Sequence, residues 1–212
     1  MAMTNLYFDI ETIPAGEERI PFLKRLHEEK LAKDKELGTN NTPQDFELFY
    51  RKTALNAAYG RVFCIAMIKE RDGIEIGKTT LCEDEKEMLR KFWGICRDVN
   101  CFVGHGIRFF DIKFLMQRSI ILGIPHTAIP LKKFSDYPVY DIMDQWMSYD
   151  GTISLHELAH ALSIPSPKEG GIDGSQVYDF FLANKHEDIC EYCMRDVETV
   201  RSVYQVLKKY RQ

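Results

Sequence analysis

Asp9 and Glu11 stand two residues apart in Leu6-Tyr7-Phe8-Asp9-Ile10-Glu11-Thr12, where apolar and polar residues alternate. In a β-strand that alternation sends Leu6, Phe8 and Ile10 to one face and Tyr7, Asp9 and Glu11 to the other. Two carboxylates then share a face. Burying an unpaired carboxylate costs several kcal/mol, and a bound divalent cation is the commonest compensation. The simpler reading is a strand end whose acids reach solvent.

Asp111 follows Gly104-His105-Gly106-Ile107-Arg108-Phe109-Phe110, where a strand runs through a glycine-containing turn into a helix. An acid in the first helical turn is stabilised by the helix N-terminus whatever else it does. Tyr192 and Asp196 are four apart and share one face of a late helix, which a polar stripe on an amphipathic helix explains more simply when that pair is taken alone. His156-Glu157-Leu158-Ala159-His160 matches the HExxH pattern of zinc proteases. Against that, Ser154 and Glu157 have the spacing of a capping box, the helix between Ser154 and Pro165 is short, and no third ligand follows nearby. Cys190 and Cys193 form a lone CxxC and read as free core or half-buried thiols.

These residues need elements to hold them. A polar, charged insertion runs from about Pro14 to Gly60. Within it Glu17–Glu36 reads as a solvated helix with Ile20, Leu23, Leu26 and Leu31 apolar, Gly38-Thr39-Asn40-Asn41 as a break, and Thr42-Pro43 as the start of a second helix carrying Phe46, Phe49 and Tyr50. Arg61–Lys69 and Ile74–Leu81 read as strands of a hairpin turning at Asp72-Gly73. Glu83–Asp98 reads as a helix with Met88, Leu89, Phe92, Trp93 and Ile95 inward, and Cys101–Gly104 as a short buried strand. Asp111–Leu122 is expected to be helical, with Ile112, Leu115, Met116, Ile120 and Ile121 on its apolar side. In the last third come a capped helix from Ser154 to Ile164, a loop at Gly170-Gly171, a helix over Gly174–Asn184 and a long one over Glu187–Tyr210. A hairpin followed by alternating β and α describes an α/β mixed sheet flanked by helices.

With 212 residues, 45% of them hydrophobic, the chain can bury one substantial core, and a single elaborated domain over 1–212 is expected. Apolar runs such as Val62–Ile68 fall far short of the roughly twenty residues that span a bilayer, so no membrane helix is expected. No secretory signal opens the chain. Six cysteines without a secreted-domain spacing suit a reducing, cytoplasmic setting. The formal net charge of -4 argues against a bulk basic surface for nucleic acid but leaves room for a local cleft, because a site holding several carboxylates lowers the total.

Taken in order, Phe8-Asp9-Ile10-Glu11-Thr12, Gly60-Arg61-Val62, Phe110-Asp111-Ile112-Lys113-Phe114-Leu115, Tyr140-Asp141-Ile142-Met143-Asp144, Ser154-Leu155 with Glu157-Leu158, Asp173-Gly174-Ser175-Gln176-Val177 and Glu191-Tyr192-Cys193-Met194-Arg195-Asp196 resemble the tyrosine subtype of the DEDD exonucleases (DEDDy). The resemblance is to the stand-alone predicted 3'-5' exonucleases related to the proofreading domain of family-B DNA polymerases, and it covers nearly the whole chain. It implies an RNase H-like fold, two Mg²⁺ or Mn²⁺ ions and removal of nucleotides from a 3' end. It further implies that Asp9 bridges both ions, Glu11 and Asp196 complete the site that activates water, and Asp111 contacts the second ion largely through water. Tyr192 would orient the nucleophilic water; a phenol with an unperturbed pKa of about 10 is a poor base near neutrality. The histidine subtype would carry His where this chain has Glu191. The same resemblance places the Ser154–Pro165 helix away from the acids, leaving His156 and His160 on the surface.

The residue types suit that chemistry. Hard cations take oxygen ligands, and two of them about 4 Å apart neutralise the attacking and leaving oxygens of a phosphodiester. One departure is Gly106, where the family usually has Asn; glycine removes an amide and is expected to loosen the loop. Substrate-side candidates are His105, Gly106, Arg108, Phe109 and Arg195, followed by Lys113, Arg118, Lys132, Lys133 and the loop from Gly170 to Gln176; each alone also reads as a turn, packing or solvated residue. The expected partner is nucleic acid, chiefly single-stranded or frayed DNA 3' ends. An exoribonuclease, or a non-catalytic nucleic-acid-binding module with a relic site, is the alternative. No polymerase domain is evident, so proofreading would serve a polymerase or repair partner in trans.

Overall fold

The alternation along the first strand becomes two cores, one on each side of a sheet. The computed structural model describes residues 2–133, 135–147, 151–166 and 171–210. Strands β1 (Thr4–Ile13), β2 (Arg61–Arg71), β3 (Ile74–Leu81), β4 (Cys101–Gly104) and β5 (Val139–Asp141) form one sheet in the order β3-β2-β1-β4-β5. β1 is antiparallel to β2 and β2 to β3, whereas β1 pairs with β4 and β4 with β5 in parallel. On one face Leu6, Phe8 and Ile10 pack with Met88, Leu89, Phe92 and Trp93 of α3 (Glu85–Ile95) and Ile112, Phe114 and Leu115 of α4 (Asp111–Leu122). On the other, Tyr7 and Ile13 pack with Ile142 of α5 (Ile142–Met147), Leu158 of α6 (Leu155–Ala161), Val177 of α7 (Val177–Leu182) and the apolar stripe of α8 (His186–Tyr210).

The insertion folds as α1 (Ile20–Leu37) and α2 (Phe46–Lys52) around Ala15, Leu23, Phe49 and Tyr50. α2 starts later than Thr42-Pro43 suggests, because the Thr42 amide donates to Asp34 Oδ2 at 2.7 Å while Asp45 caps the helix through the amides of Glu47 and Leu48. The turn at Asp72-Gly73 has positive φ at both residues, as a tight hairpin requires. β5 and α5 were not expected; three and six residues are too few to show a period. Gly170 of the expected loop lies outside the described residues. Among the described residues, no helix is long and apolar enough to cross a membrane.

Ile120 and Ile121 are corrections: they are 68% and 45% exposed. The buried stripe of α4 runs instead through Ile112, Leu115, Arg118 and Ser119. Arg118 is drawn inward by two hydrogen bonds to the Glu85 carboxylate, at 2.8 and 2.7 Å, and one to the Ala57 carbonyl at 3.1 Å. It ties α4 to α3 and to the end of the insertion, so it is a structural residue and not a phosphate contact. Removing one partner of a buried ion pair strands the other charge. Arg118→Ala is therefore expected to lower unfolding stability by about 3 kcal/mol, read as a drop in the urea midpoint at unchanged slope.

Candidate functional site

The site begins where the sheet stops. β4 pairs with β1 only from Asn5 to Tyr7, and the chain leaves at Gly104. A Cβ at Gly104 would lie 2.0 Å from Ile107 Cγ2 and 3.1 Å from the Phe8 carbonyl oxygen, so the departure needs glycine. Beyond it β1 has lost its parallel neighbour, and the Ile10 amide donates to Asp111 Oδ1 at 3.2 Å. Asp111 thus replaces the missing strand for one hydrogen bond and brings its carboxylate beside Asp9 and Glu11. A register shift between Glu11 and Thr12 on the β2 side breaks the pairing next to the second acid, as bulges beside functional sites do.

From the other side, α8 lies across β1 and β2. Cys193 donates its thiol to the Asp9 carbonyl at 3.4 Å, and this seats Tyr192 and Asp196 over the strand. One oxygen each of Asp9, Glu11 and Asp196 lies within 4.8 Å of the others, the one such group of potential metal ligands among the described residues. No described residue forms a salt bridge with Asp9, Glu11 or Asp111. Burial, then the charges around them, push the Asp9 and Glu11 carboxyls well above the usual range. Asp111 is pushed up to about 7, by burial first and then by Asp141 and Asp196, against the opposing amides of Asp111 and Ile10. Tyr192 is raised by burial and then by Asp196, Glu11 and Asp9, and its hydroxyl bonds to Asp196. Crowded carboxylates without basic partners form a donor set suited to hard divalent cations, because all their ligand atoms are oxygens.

The loop carrying the substrate-side candidates is fastened by a residue the sequence reading did not single out as functional. Asp141, at the end of β5 and fully buried, accepts from the amides of Gly106 (2.8 Å), Arg108 (3.0 Å) and Met143 (3.1 Å). Gly106 has φ of 72°, a left-handed conformation that glycine adopts freely and asparagine tolerates. The expected loosening is therefore absent; the turn is pinned. Arg108 is a second correction. It is 2% exposed, lies 3.0 Å from the Asp144 carboxylate without hydrogen-bond alignment, and donates to the carbonyls of Ser135 and Val139 at 2.9 and 2.7 Å. Its charge is committed inside the protein. Arg195 sits 3.9 Å from Glu191 on its own helix, and the described cleft lining does not include it.

His105 and Phe109 do face the site region. The cleft beside the acids is lined by Asp9, His105, Ser154, Leu155, His156, Tyr192 and Asp196. His105 Nε2 bonds the Ile153 carbonyl at 2.8 Å, its Nδ1 is buried without a partner, and burial lowers its pKa. Phe109 is 48% exposed, with Lys113 and Lys133 ammonium groups 5.7 and 5.8 Å from its ring centre. The α6 helix is not away from the acids: its first residues form a wall of the cleft, and His156 Nδ1 pairs with Ser166 Oγ at 2.5 Å. The capping box at Ser154 and Glu157 is formed. His156 and His160 join no three-ligand cluster among the described residues. Asp173 and Gln176 form a second capping box, so Asp173 and Ser175 serve the helix start.

A family model described as predicted 3'-5' exonuclease related to the exonuclease domain of PolB matches residues 52–211. That span holds Asp111, Tyr192 and Asp196 and begins after Asp9 and Glu11, which the sheet delivers to the same place. Among solved structures, the family B DNA polymerase from the hyperthermophilic archaeon Pyrobaculum calidifontis is similar, with a TM-score of 0.63 and 17% identity over 97% of this chain and 24% of the polymerase chain. This chain spans about a quarter of that polymerase's length, and what the two share is the α/β, RNase H-like mixed sheet with flanking helices. No curated protein matches.

The raised carboxyls give a signed pH dependence. An unfolded aspartate titrates at about 4, and folded Asp111 at about 7. Between those values the folded protein holds a proton that the unfolded chain has released, so stability is full below the window and falls as pH rises through it. With chelator present, the unfolding temperature is expected to drop from about pH 5 to about pH 8, and Asp111→Asn, which can still accept from Ile10, should flatten the drop.

Proposed function

We propose, from the premise that the chain belongs to the family of predicted 3'-5' exonucleases related to the exonuclease domain of PolB, that it hydrolyses phosphodiester bonds at the 3' end of DNA, single-stranded or frayed. The observation that carries this reading is the meeting of Asp9, Glu11 and Asp196 within 4.8 Å, with Asp111 fastened to the same strand. Residues 1–212 act in this reading as one exonuclease unit, elaborated by the insertion at about 14–60.

Asp9, Glu11, Asp111 and Asp196 would hold two Mg²⁺ or Mn²⁺ ions, the DEDDy arrangement, with Asp9 shared between them. Bound there, such ions supply charge neutralisation for the attacking and leaving oxygens. Tyr192 keeps its proton at neutral pH because burial and three neighbouring acids hold it. It positions water through its hydroxyl and is not the base. His105 is neutral, and because Nε2 donates to a carbonyl its Nδ1 offers a lone pair. That acceptor, unpartnered beside the acids, suits a donor such as a terminal 3'-hydroxyl. Phe109, exposed and flanked by lysines, offers a stacking face with phosphate-attracting charge around it.

Asp9→Ala and Asp196→Ala are expected to abolish Mg²⁺-dependent trimming of a 5'-labelled oligonucleotide with circular dichroism unchanged; undiminished trimming by either pure variant would sink the assignment. Giving DNA and RNA of one sequence to the same preparation separates the deoxyribonuclease from the exoribonuclease reading. Phe109→Ala is expected to weaken single-strand binding about tenfold, the loss of one stacked base, in a fluorescence-anisotropy titration at fixed salt.

A further inference from the structure

Four cysteines meet where α8 crosses the hairpin. Cys64 on β2 stands opposite Glu11 of β1, and Cys82 follows Leu81, which pairs with Ile65. Cys190 and Cys193 are one turn apart on α8. Cys64 lies within hydrogen-bonding reach of both Cys190 and Cys193, and Cys82 within reach of Cys190. The series runs inward from solvent: Cys82 is exposed, Cys190 half-buried, Cys64 and Cys193 buried. A tetrahedral zinc site, with Zn–S of about 2.3 Å, requires its sulfurs under about 4 Å apart. No three of these sulfurs lie within 4.8 Å of one another, so the contacts form a chain and not a cage.

The two outer members differ in reactivity. Hydrogen bonding from Cys64 above all, and also from Cys82, lowers Cys190 to about 7 in spite of its partial burial. Cys82 is held as the thiol, by burial and then by its bond to Cys190. Thiolate is the reactive form, and a low-pKa thiol next to a second, accessible cysteine is the arrangement that oxidises reversibly.

We propose that Cys190 is an oxidant-sensitive thiol and Cys82 its resolving partner, so that a hydroperoxide converts the pair into a Cys82–Cys190 disulfide joining the start of α8 to the end of β3. The Cys190 thiolate attacks the peroxide: an S–O bond forms, the O–O bond breaks, and the departing oxyanion takes a proton from water, leaving a sulfenic acid. The Cys82 sulfur then attacks that sulfur; the S–S bond forms, the S–O bond breaks, and the hydroxyl leaves as water with the Cys82 proton. Two thiols lose two electrons in all, and the peroxide gains them. None of this depends on the exonuclease reading.

The test uses the full chain, hydrogen peroxide at neutral pH, iodoacetamide to block remaining thiols, and peptide mapping without reductant. The expected result is a linked Cys82–Cys190 peptide pair that dithiothreitol separates. In Cys82→Ser, an exposed change that leaves the fold alone, dimedone should instead trap a sulfenic acid on Cys190; in Cys190→Ser both products should vanish. Without oxidant, native Cys190 should alkylate about tenfold faster than Cys82 despite its lower exposure. A bond to Cys64 in place of Cys82, alkylation of Cys82 first, no link after peroxide, or zinc held by Cys82 and Cys190 after purification would each overturn the proposal.

Discussion

Everything near the site answers one constraint: carboxylates that repel one another must be held together out of bulk water. Left free, Asp9, Glu11 and Asp196 would not remain within 4.8 Å at neutral pH, because like charges at that separation and low dielectric disfavour joint ionisation. The backbone therefore does the holding. β1 is paired along its length with β2, so two of the acids ride on a strand in the middle of the sheet. Asp111 is fixed by accepting the amide that β4 leaves unpaired, and Asp196 by a helix whose buried valines pack on the same sheet.

The support extends one layer further, and it resolves what Gly106 does. A left-handed glycine in a six-residue turn invites motion, yet Asp141 accepts three backbone amides around that turn. Its buried charge is stabilised by those donors, and the nearby Arg108 and Asp144 meet inside the same region. Buried polar groups so satisfied favour one arrangement over alternatives. A family asparagine at position 106 could occupy the same left-handed conformation, so what the glycine changes is the side chain presented to the cleft, while the path of the chain stays.

The strands and helices that carry the acids were legible because their periods are long. β1, β2, β3 and α8 run 10, 11, 8 and 25 residues, enough for alternation or a helical stripe to show. The grouping of Asp9, Glu11, Asp111 and Asp196 was legible through residue type and motif order. Hidden features share one cause: they depend on partners distant in sequence. Arg108 and Arg118 read as surface charges because Asp144 and Glu85, which draw them inward, come from other elements. Asp141 sat in a three-residue strand, and the α6 wall of the cleft is set by how that short helix docks. The cysteine chain was hidden likewise, since Cys64 and Cys82 reach α8 only through the hairpin.

Proton occupancy and cation occupancy at such a site are two faces of one equilibrium. The charges that raise Asp111 to about 7 also keep Tyr192 protonated. Any cation held by the carboxylates removes the repulsion that raised them and releases the protons they carried. Affinity for the cation must then rise with pH across the same window in which the cation-free protein loses stability. The strain is not a defect of the fold: a site relaxed without its cation would have spread its ligands apart, and the binding energy would go into gathering them. Here the sheet, the Ile10 amide and α8 have already done that gathering, so the repulsion stored in the acids becomes selectivity for a small, doubly charged, oxygen-seeking ion.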